Sequence, residues 1–316
     1  MTKLIGSADL PGLVTATSDA LGIPPADIEK DIWVVEVLRS VFRPVDGARV
    51  IFKGGTSLSK AYGIIERFSE DVDLLVVPEN ALSRRGRDRV LRELPSRAAR
   101  DLGTTAAREG TTQEGIHRSE RVAYDAVFPD PGRVAAGVLL EMGVRGGPEP
   151  SEVRPVRSYA AQWAVGTGVA TETEYEEFAP VDVVVLRPER TLIEKLALIH
   201  HLAATYPQSA PRIPANGRHL YDIYRLLGDE DVRAALRQKG LAERLATDAY
   251  ERSHEAGWPG TPRPADGFSA SLAFTDEREV RRAFNQALDQ AATLVWGERP
   301  SFEQVVERVS AEASLL

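Results

Sequence analysis

The sequence predicts an α+β protein in which a lobe mixing strands with helices is followed by a lobe of helices alone. Three observations carry this. Short apolar runs of strand length recur up to residue 186, among them DVDLLVV, GVLLEMGV and VDVVVL. A Gly-Gly turn joins the run Val50, Ile51, Phe52 to a following helix, giving a strand–turn–helix unit. Beyond residue 190 the apolar positions keep helical spacing almost to the end. The expected division is residues 1–189, a mixed domain with N-terminal helices, and residues 190–316, a helical C-terminal domain.

The first stretch reads as helices. Pro24 and Pro25 stand where a helix can begin, and Trp33, Val34, Val37, Leu38 and Val41 form a packing face. A strand is expected at Val50 to Phe52, then a helix from about Thr56, then a strand from Asp71 to Val77 ended by Pro78. Further strands are expected at RVAYDAVF (121–128), GVLLEMGV (137–144) and VDVVVL (181–186). The helical half contains RTLIEKLALIHHLAA and RHLYDIYRLL, and its Gly- and Pro-rich segment 256–270 reads as a surface loop.

Composition narrows the chemistry. The 316 residues are 43% hydrophobic, enough for a substantial core. With no cysteine, thiol nucleophiles, iron–sulfur clusters and Cys-based zinc sites are excluded, which fits a reducing cytoplasm. No apolar run approaches bilayer length and the start lacks a signal-peptide layout, so a cytoplasmic protein without membrane contact is expected. The five histidines include no H-x-x-x-H, and His200, His201 and His219 are expected to pack or cap. A net charge of −8 argues against a duplex-DNA coat but leaves room for a local basic patch. Residues 84–100 supply one, seven arginines against Asp88 and Glu93, for which the plain alternative is a solvated helix face.

The chemistry concentrates at D-x-D. Side chains two apart on a strand share a face, so Asp71 and Asp73 project together about 7 Å apart. Like charges so placed repel unless a cation lies between them, and Mg²⁺ is held by one or two carboxylates with water and substrate phosphates completing its shell. A strand end facing water is the plain alternative. The upstream GGTSLSK shifts the balance: its glycines let backbone approach a ligand, and the hydroxyls of Thr56, Ser57 and Ser59 with helix-start amides suit phosphate oxygens. It lacks P-loop spacing.

The 25 residues FKGGTSLSKAYGIIERFSEDVDLLV (52–76) resemble, without a gap, the signature of the AbiEii/MenT toxin nucleotidyltransferases of the DNA polymerase beta-like superfamily. RTLIEKLALIH (190–200) and RHLYDIYRLL (218–227) resemble later family segments, in the same order, whereas residues 80–180 do so loosely. The resemblance implies a polymerase beta-like core, a mixed sheet with helices, and the following site. Asp71 and Asp73 would bind two Mg²⁺ ions, with Glu141 as third carboxylate. Gly54, Gly55, Thr56, Ser57, Lys60 and Arg67 would bind the NTP substrate, although Arg67 could instead clamp a carboxylate. Lys195 and Asp222 would complete the catalytic set. Their plain alternatives are a snorkelling lysine at the edge of the Leu192, Leu196, Ile199 stripe and a surface acid paired with Arg218 and Arg225. A phosphoryl group on Ser69 would add negative charge beside the acids and oppose triphosphate binding.

The resemblance further implies transfer of NMP to an RNA, the 3′ end of tRNA, by a growth-blocking toxin with a cognate antitoxin encoded nearby. Arg84, Arg85, Arg87 and Arg89 would touch the RNA backbone near the active site. Two alternatives remain at this point: a nucleotidyltransferase acting on a small molecule or protein, and a degenerate nucleotide-binding module.

Overall fold

A computed structural model describes the chain except for residues 68, 70, 80, 81, 111, 129–136, 256, 258 and 259. Phe68 and Glu70 of the 52–76 segment therefore lie outside the described residues, as do Ala256, Trp258 and Pro259 of the expected loop. The chain divides into two compact units. One comprises residues 1–61, 68–144 and 151–185; the other comprises 62–67, 145–150 and 186–316.

The first unit is built on a mixed sheet of seven strands, ordered β3-β4-β5-β2-β1-β7-β6. They are β1 (Ala48–Lys53), β2 (Asp71–Pro78), β3 (Ala106–Arg108), β4 (His117–Val122), β5 (Val138–Gly143), β6 (Ser151–Val156) and β7 (Val181–Leu186). β2 runs antiparallel to β1 and parallel to β5, its centre made of β-branched and leucine side chains that suit a pleated surface. Val72, Leu74 and Val76 share one face with Phe52 and with Leu140 and Met142 across the ladders, and all six are buried. The alternate face carries Asp71, Asp73 and Glu141, each partly exposed.

Five helices accompany the sheet: α1 (Leu10–Leu21), α2 (Pro25–Val41), α3 (Gly54–Lys60), α4 (Arg84–Asp101) and α5 (Tyr159–Gly166). Fifteen of the 17 residues of α2 are buried, so it is a central helix enclosed on every side, and not the one-faced helix that the sequence suggests. Charged residues on its hidden faces therefore need partners. Glu29 accepts the backbone amides of Val127 and Phe128, at 2.9 and 2.8 Å. The strand expected over 121–128 is displaced: β4 runs over His117–Val122, only Arg121 and Val122 are common to both, and Val127 and Phe128 are bound by Glu29 instead of a neighbouring strand. α4 opens on the Ser83 hydroxyl, which accepts the Gly86 amide at 3.1 Å.

The second unit is helical: α6 (Pro188–Ala204), α7 (Ile213–Asn216), α8 (Arg218–Gly228), α9 (Glu230–Leu236), α10 (Leu241–Glu255), α11 (Arg278–Ala291) and α12 (Phe302–Ala311). α6 packs on α8, and α8 on α12. Among the described residues no helix is long and apolar enough to cross a membrane. The described part of the 256–270 loop is irregular up to a short 3-10 turn at Phe268–Ala270, and it is fastened to α6 by His200, whose imidazole bonds the Ser271 hydroxyl at 3.0 Å and the Pro262 carbonyl at 3.1 Å.

Candidate functional site

In the first unit the site grows from the end of β1. Its last residue, Lys53, pairs in register with Asp73, and the chain then enters α3 through Gly54 at φ +75°. A Cβ on Gly54 would lie 2.0 Å from Asp73 Oδ2, so the missing side chain is what admits the carboxylate over the turn. The same turn is cross-tied to β2, since the Thr56 hydroxyl donates to the Asp71 carbonyl. Ser57 is wholly buried and donates to the Gly54 carbonyl at 2.9 Å. Both hydroxyl protons are thus spent on backbone, and both side chains shape the turn. Ser59 does the same toward Thr56 at 3.0 Å. α3 has seven residues, and it starts at Gly54, two residues before the expected start at Thr56.

Asp73 has no hydrogen-bond or ion-pair partner among the described residues, and Lys53, directly opposite on the same face, forms no ion pair with it. Glu141 faces Asp73 across the parallel pair, on the same face. The donor set suits a hard cation of the Mg²⁺ type, which needs one or two carboxylates and takes its other oxygens from water and phosphate. Among the described residues no three or more acid or histidine side chains group closely enough to hold a metal by themselves. Ser69 precedes β2, which begins at Asp71, so the strand alternation that would align it with the acids does not extend to it.

Lys60 is placed differently from the other cradle residues. It is 7% exposed, and its ammonium lies 2.8 and 3.0 Å from the two oxygens of Asp31.

The second unit holds a separate cluster. Asp222 on α8 is 0% exposed; Arg67 grips it bidentately at 2.6 and 2.8 Å, and Lys195 on α6 reaches Oδ2 at 2.8 Å. Lys195 also meets His219 Nδ1 at 3.1 Å. Burial works against the Asp222 carboxylate, but the charges of Arg67 and then Lys195 outweigh it and hold the acid well below the usual carboxylate range. Burial pushes the Lys195 ammonium down despite Asp222, and burial with the Lys195 charge pushes His219 well below an ordinary imidazole. His219 is therefore neutral at pH 7 and accepts from Lys195.

This geometry corrects three readings. Asp222 is not a surface acid paired with Arg218 and Arg225: it is fully enclosed, and Arg225 binds Glu66 instead. Lys195 is not snorkelling, because α6 is buried around it. Arg67 takes the carboxylate-clamping alternative. His219, whose expected role was packing or capping, was missed as a partner of Lys195; nothing in R-H-L-Y-D signals it until α6 is packed on α8.

The arginine-rich segment becomes α4. Arg84, Arg92 and Arg100 pair with Glu114, Asp88 and Glu93, at 3.3, 2.8 and 3.0 Å. Arg87 donates to the Gly115 and Leu82 carbonyls, and Arg97 to those of Val41, Arg43 and Pro44. Arg85 and Arg89 are exposed and have no ion-pair partner among the described residues. The first turn of α4 lies against the 114–115 turn, which enters β4 where His117 pairs with Gly143, beside Leu75. That is further along β2 than the acids at its start. The patch is therefore displaced from the acid pair.

The sequence model of the nucleotidyl transferase AbiEii toxin family, type IV toxin–antitoxin system, matches residues 36–308. No curated protein matches. Among solved structures, MenT4, a nucleotidyltransferase toxin from Mycobacterium tuberculosis, aligns with 22% identity and a TM-score of 0.46, over 95% of this chain and 98% of that one. With the family match spanning most of its length, the chain belongs to the AbiEii nucleotidyl transferase family, the toxins of type IV toxin–antitoxin systems.

Proposed function

We propose that the protein transfers a nucleoside monophosphate from an NTP to the 3′ hydroxyl of an RNA, the acceptor end of tRNA, and blocks growth in the cytoplasm by doing so. The observation that carries this reading is the Asp73 carboxylate, without an ion-pair or hydrogen-bond partner among the described residues, seated over a Gly54 that has no room for a side chain. Asp73 is partly exposed, so water can solvate it and it needs no partner for stability; its seat over a turn that only glycine can make leaves its oxygens open to a divalent cation carrying a triphosphate.

In this reading Asp71 and Asp73 would hold Mg²⁺, with Glu141, opposite Asp73 in the ladder, as the third carboxylate; the metal would supply stabilisation of charge on the attacking and leaving oxygens. The Gly54–Gly55 backbone cradles phosphate, with Thr56 and Ser57 fixing its shape through their bonds to the Asp71 and Gly54 carbonyls. Lys195 stands as the lysine of the family's later motif, whose charge would offset that of the leaving pyrophosphate, with Asp222 and His219 fixing its ammonium. Arg67 keeps Asp222 ionised and in place. The 3′ oxygen forms a bond to the α phosphorus as the α–β bridging bond breaks; pyrophosphate leaves and the hydroxyl proton passes to water.

The test is transfer of α-³²P label from each NTP, with Mg²⁺, into total RNA and, in parallel, into protein and small-molecule fractions. Label in tRNA that shifts with RNase treatment is the expected outcome. Label confined to protein or a small molecule would move the acceptor, and none in any fraction would leave the binding-module reading.

A further inference from the structure

We infer that Lys60 is a positioning residue for the nucleotide cradle: through Asp31 it ties the end of α3 to α2, and it makes no contact with the NTP. This rests on the proposed function only in what the cradle is for. Both oxygens of Asp31 are engaged, by Lys60 at 2.8 and 3.0 Å and by the Tyr159 amide at 2.6 Å. The ammonium also lies 3.7 Å from the centroid of the Tyr159 ring, whose face favours a cation. Three helices, α2, α3 and α5, therefore meet at one buried charge pair.

Burial raises the Asp31 carboxyl and lowers the Lys60 ammonium, with each charge offsetting part of the shift in its partner. The consequence is mechanical. With its seven residues α3 spans about 10 Å and moves as one piece. At its other end Gly54 has no slack against Asp73, where even a Cβ would sit 2.0 Å from the carboxylate. A shift of the Lys60 end is thus passed to the metal-facing acid. The Lys60 side chain is 2% exposed, and its ammonium is held by both oxygens of Asp31 and by the face of the Tyr159 ring.

The full-length protein and the variants Lys60→Met, Asp31→Asn and the Asp31→Asn/Lys60→Met double test this by two readouts: calorimetric affinity for Mg·ATP, Mg·GTP, Mg·CTP and Mg·UTP, and nucleotide-free amide hydrogen exchange over residues 55–60. Asn keeps an acceptor for the Tyr159 amide, so the double variant removes both charges and leaves that hydrogen bond. Each single variant is expected to exchange faster across α3 and to bind its preferred NTP about tenfold more weakly, because it leaves one buried charge without its partner. The double variant is expected to recover slow exchange and to bind within about threefold of wild type. A double variant that regains protected α3 amides but stays as weak as Lys60→Met would make Lys60 a direct ligand and overturn the inference. So would a Lys60→Met protein indistinguishable from wild type in both readouts. If the wild type binds no NTP, the proposed function fails while hydrogen exchange still decides whether the tie holds α3.

Discussion

At the residue scale the two acidic sites differ in kind, and so do the variants that test them. Asp73 is partly exposed and has no ion-pair partner among the described residues, so Asp73→Ala is expected to abolish transfer while leaving the melting temperature unchanged or slightly raised, because a repulsion with Asp71 is relieved. Undiminished transfer in that variant would remove the metal assignment. Asp222 is the opposite case. It is enclosed by two cations, and removing the carboxylate leaves Arg67 and Lys195 buried without it, so Asp222→Ala is expected to cost about 3–5 kcal/mol of stability as well as activity. Chemical denaturation reads the first loss directly. Gly54→Ala lies between them. Its φ of +75° and the 2.0 Å approach to Asp73 predict a stability loss of about 1–3 kcal/mol and a far larger loss of turnover, since the displaced group is the carboxylate itself. A fully active Gly54→Ala enzyme would show that Asp73 can be moved without harm.

At the scale of elements, α4 limits what the arginine patch can do. Five of its seven arginines are committed to carboxylates or backbone carbonyls, leaving Arg85 and Arg89 at adjacent positions on one exposed face. Their place near the end of β2 fits contact with the body of a long acceptor at a distance from its reacting end. Arg85→Gln/Arg89→Gln is therefore expected to raise the KM for tRNA and to lower the slope of log KM against log salt by about one to two, with the NTP KM unchanged. An unchanged slope would return α4 to a solvated helix face. The same double variant should leave transfer to a short oligonucleotide unaffected.

For the whole molecule, stability should respond to pH in the range where histidines titrate. His200, His201 and His219 are all pushed below their ordinary value of 6.5, chiefly by burial. Their contribution is complete above the unfolded value and is lost as pH falls through 6.5 toward the folded values, because the unfolded chain takes up the protons first. Asp222, held below the carboxylate range, keeps its contribution until pH falls below about 4. A fall in melting temperature between pH 7 and pH 5 is thus assigned to the imidazoles. His219 faces Lys195, Asp222, Arg218 and Arg67, and His219→Gln should flatten part of that fall; an unaltered profile would mean that the ring is already solvated. In cells, expression of the chain without its antitoxin is expected to slow growth, and Asp73→Ala to restore it.

What the sequence determined by itself is the local part of this protein. Period-two patterning placed β1, β2, β5 and β7 and set Asp71 and Asp73 on one face, because side-chain alternation is a property of the strand alone. The Gly-Gly step marked the turn into α3, and the helical half followed from its spacing. Short β3, edge strand β6 and α5 were not legible, since three to eight residues of mixed polarity carry too little period to detect. Tertiary structure alone decided the partners. Lys60 reads from the sequence as a phosphate ligand, and only α2, 29 positions away, turns it toward Asp31. Asp222 is placed in the catalytic set by the resemblance, but along the helix its spacing offers only the arginines at i−4 and i+3 as partners, whereas it is bound by Arg67, 155 positions away, and by Lys195 on another helix. The physical reason is the same in each case. A buried charge must be satisfied by whatever the fold brings within about 3 Å, and that choice depends on how helices pack rather than on any spacing along the chain.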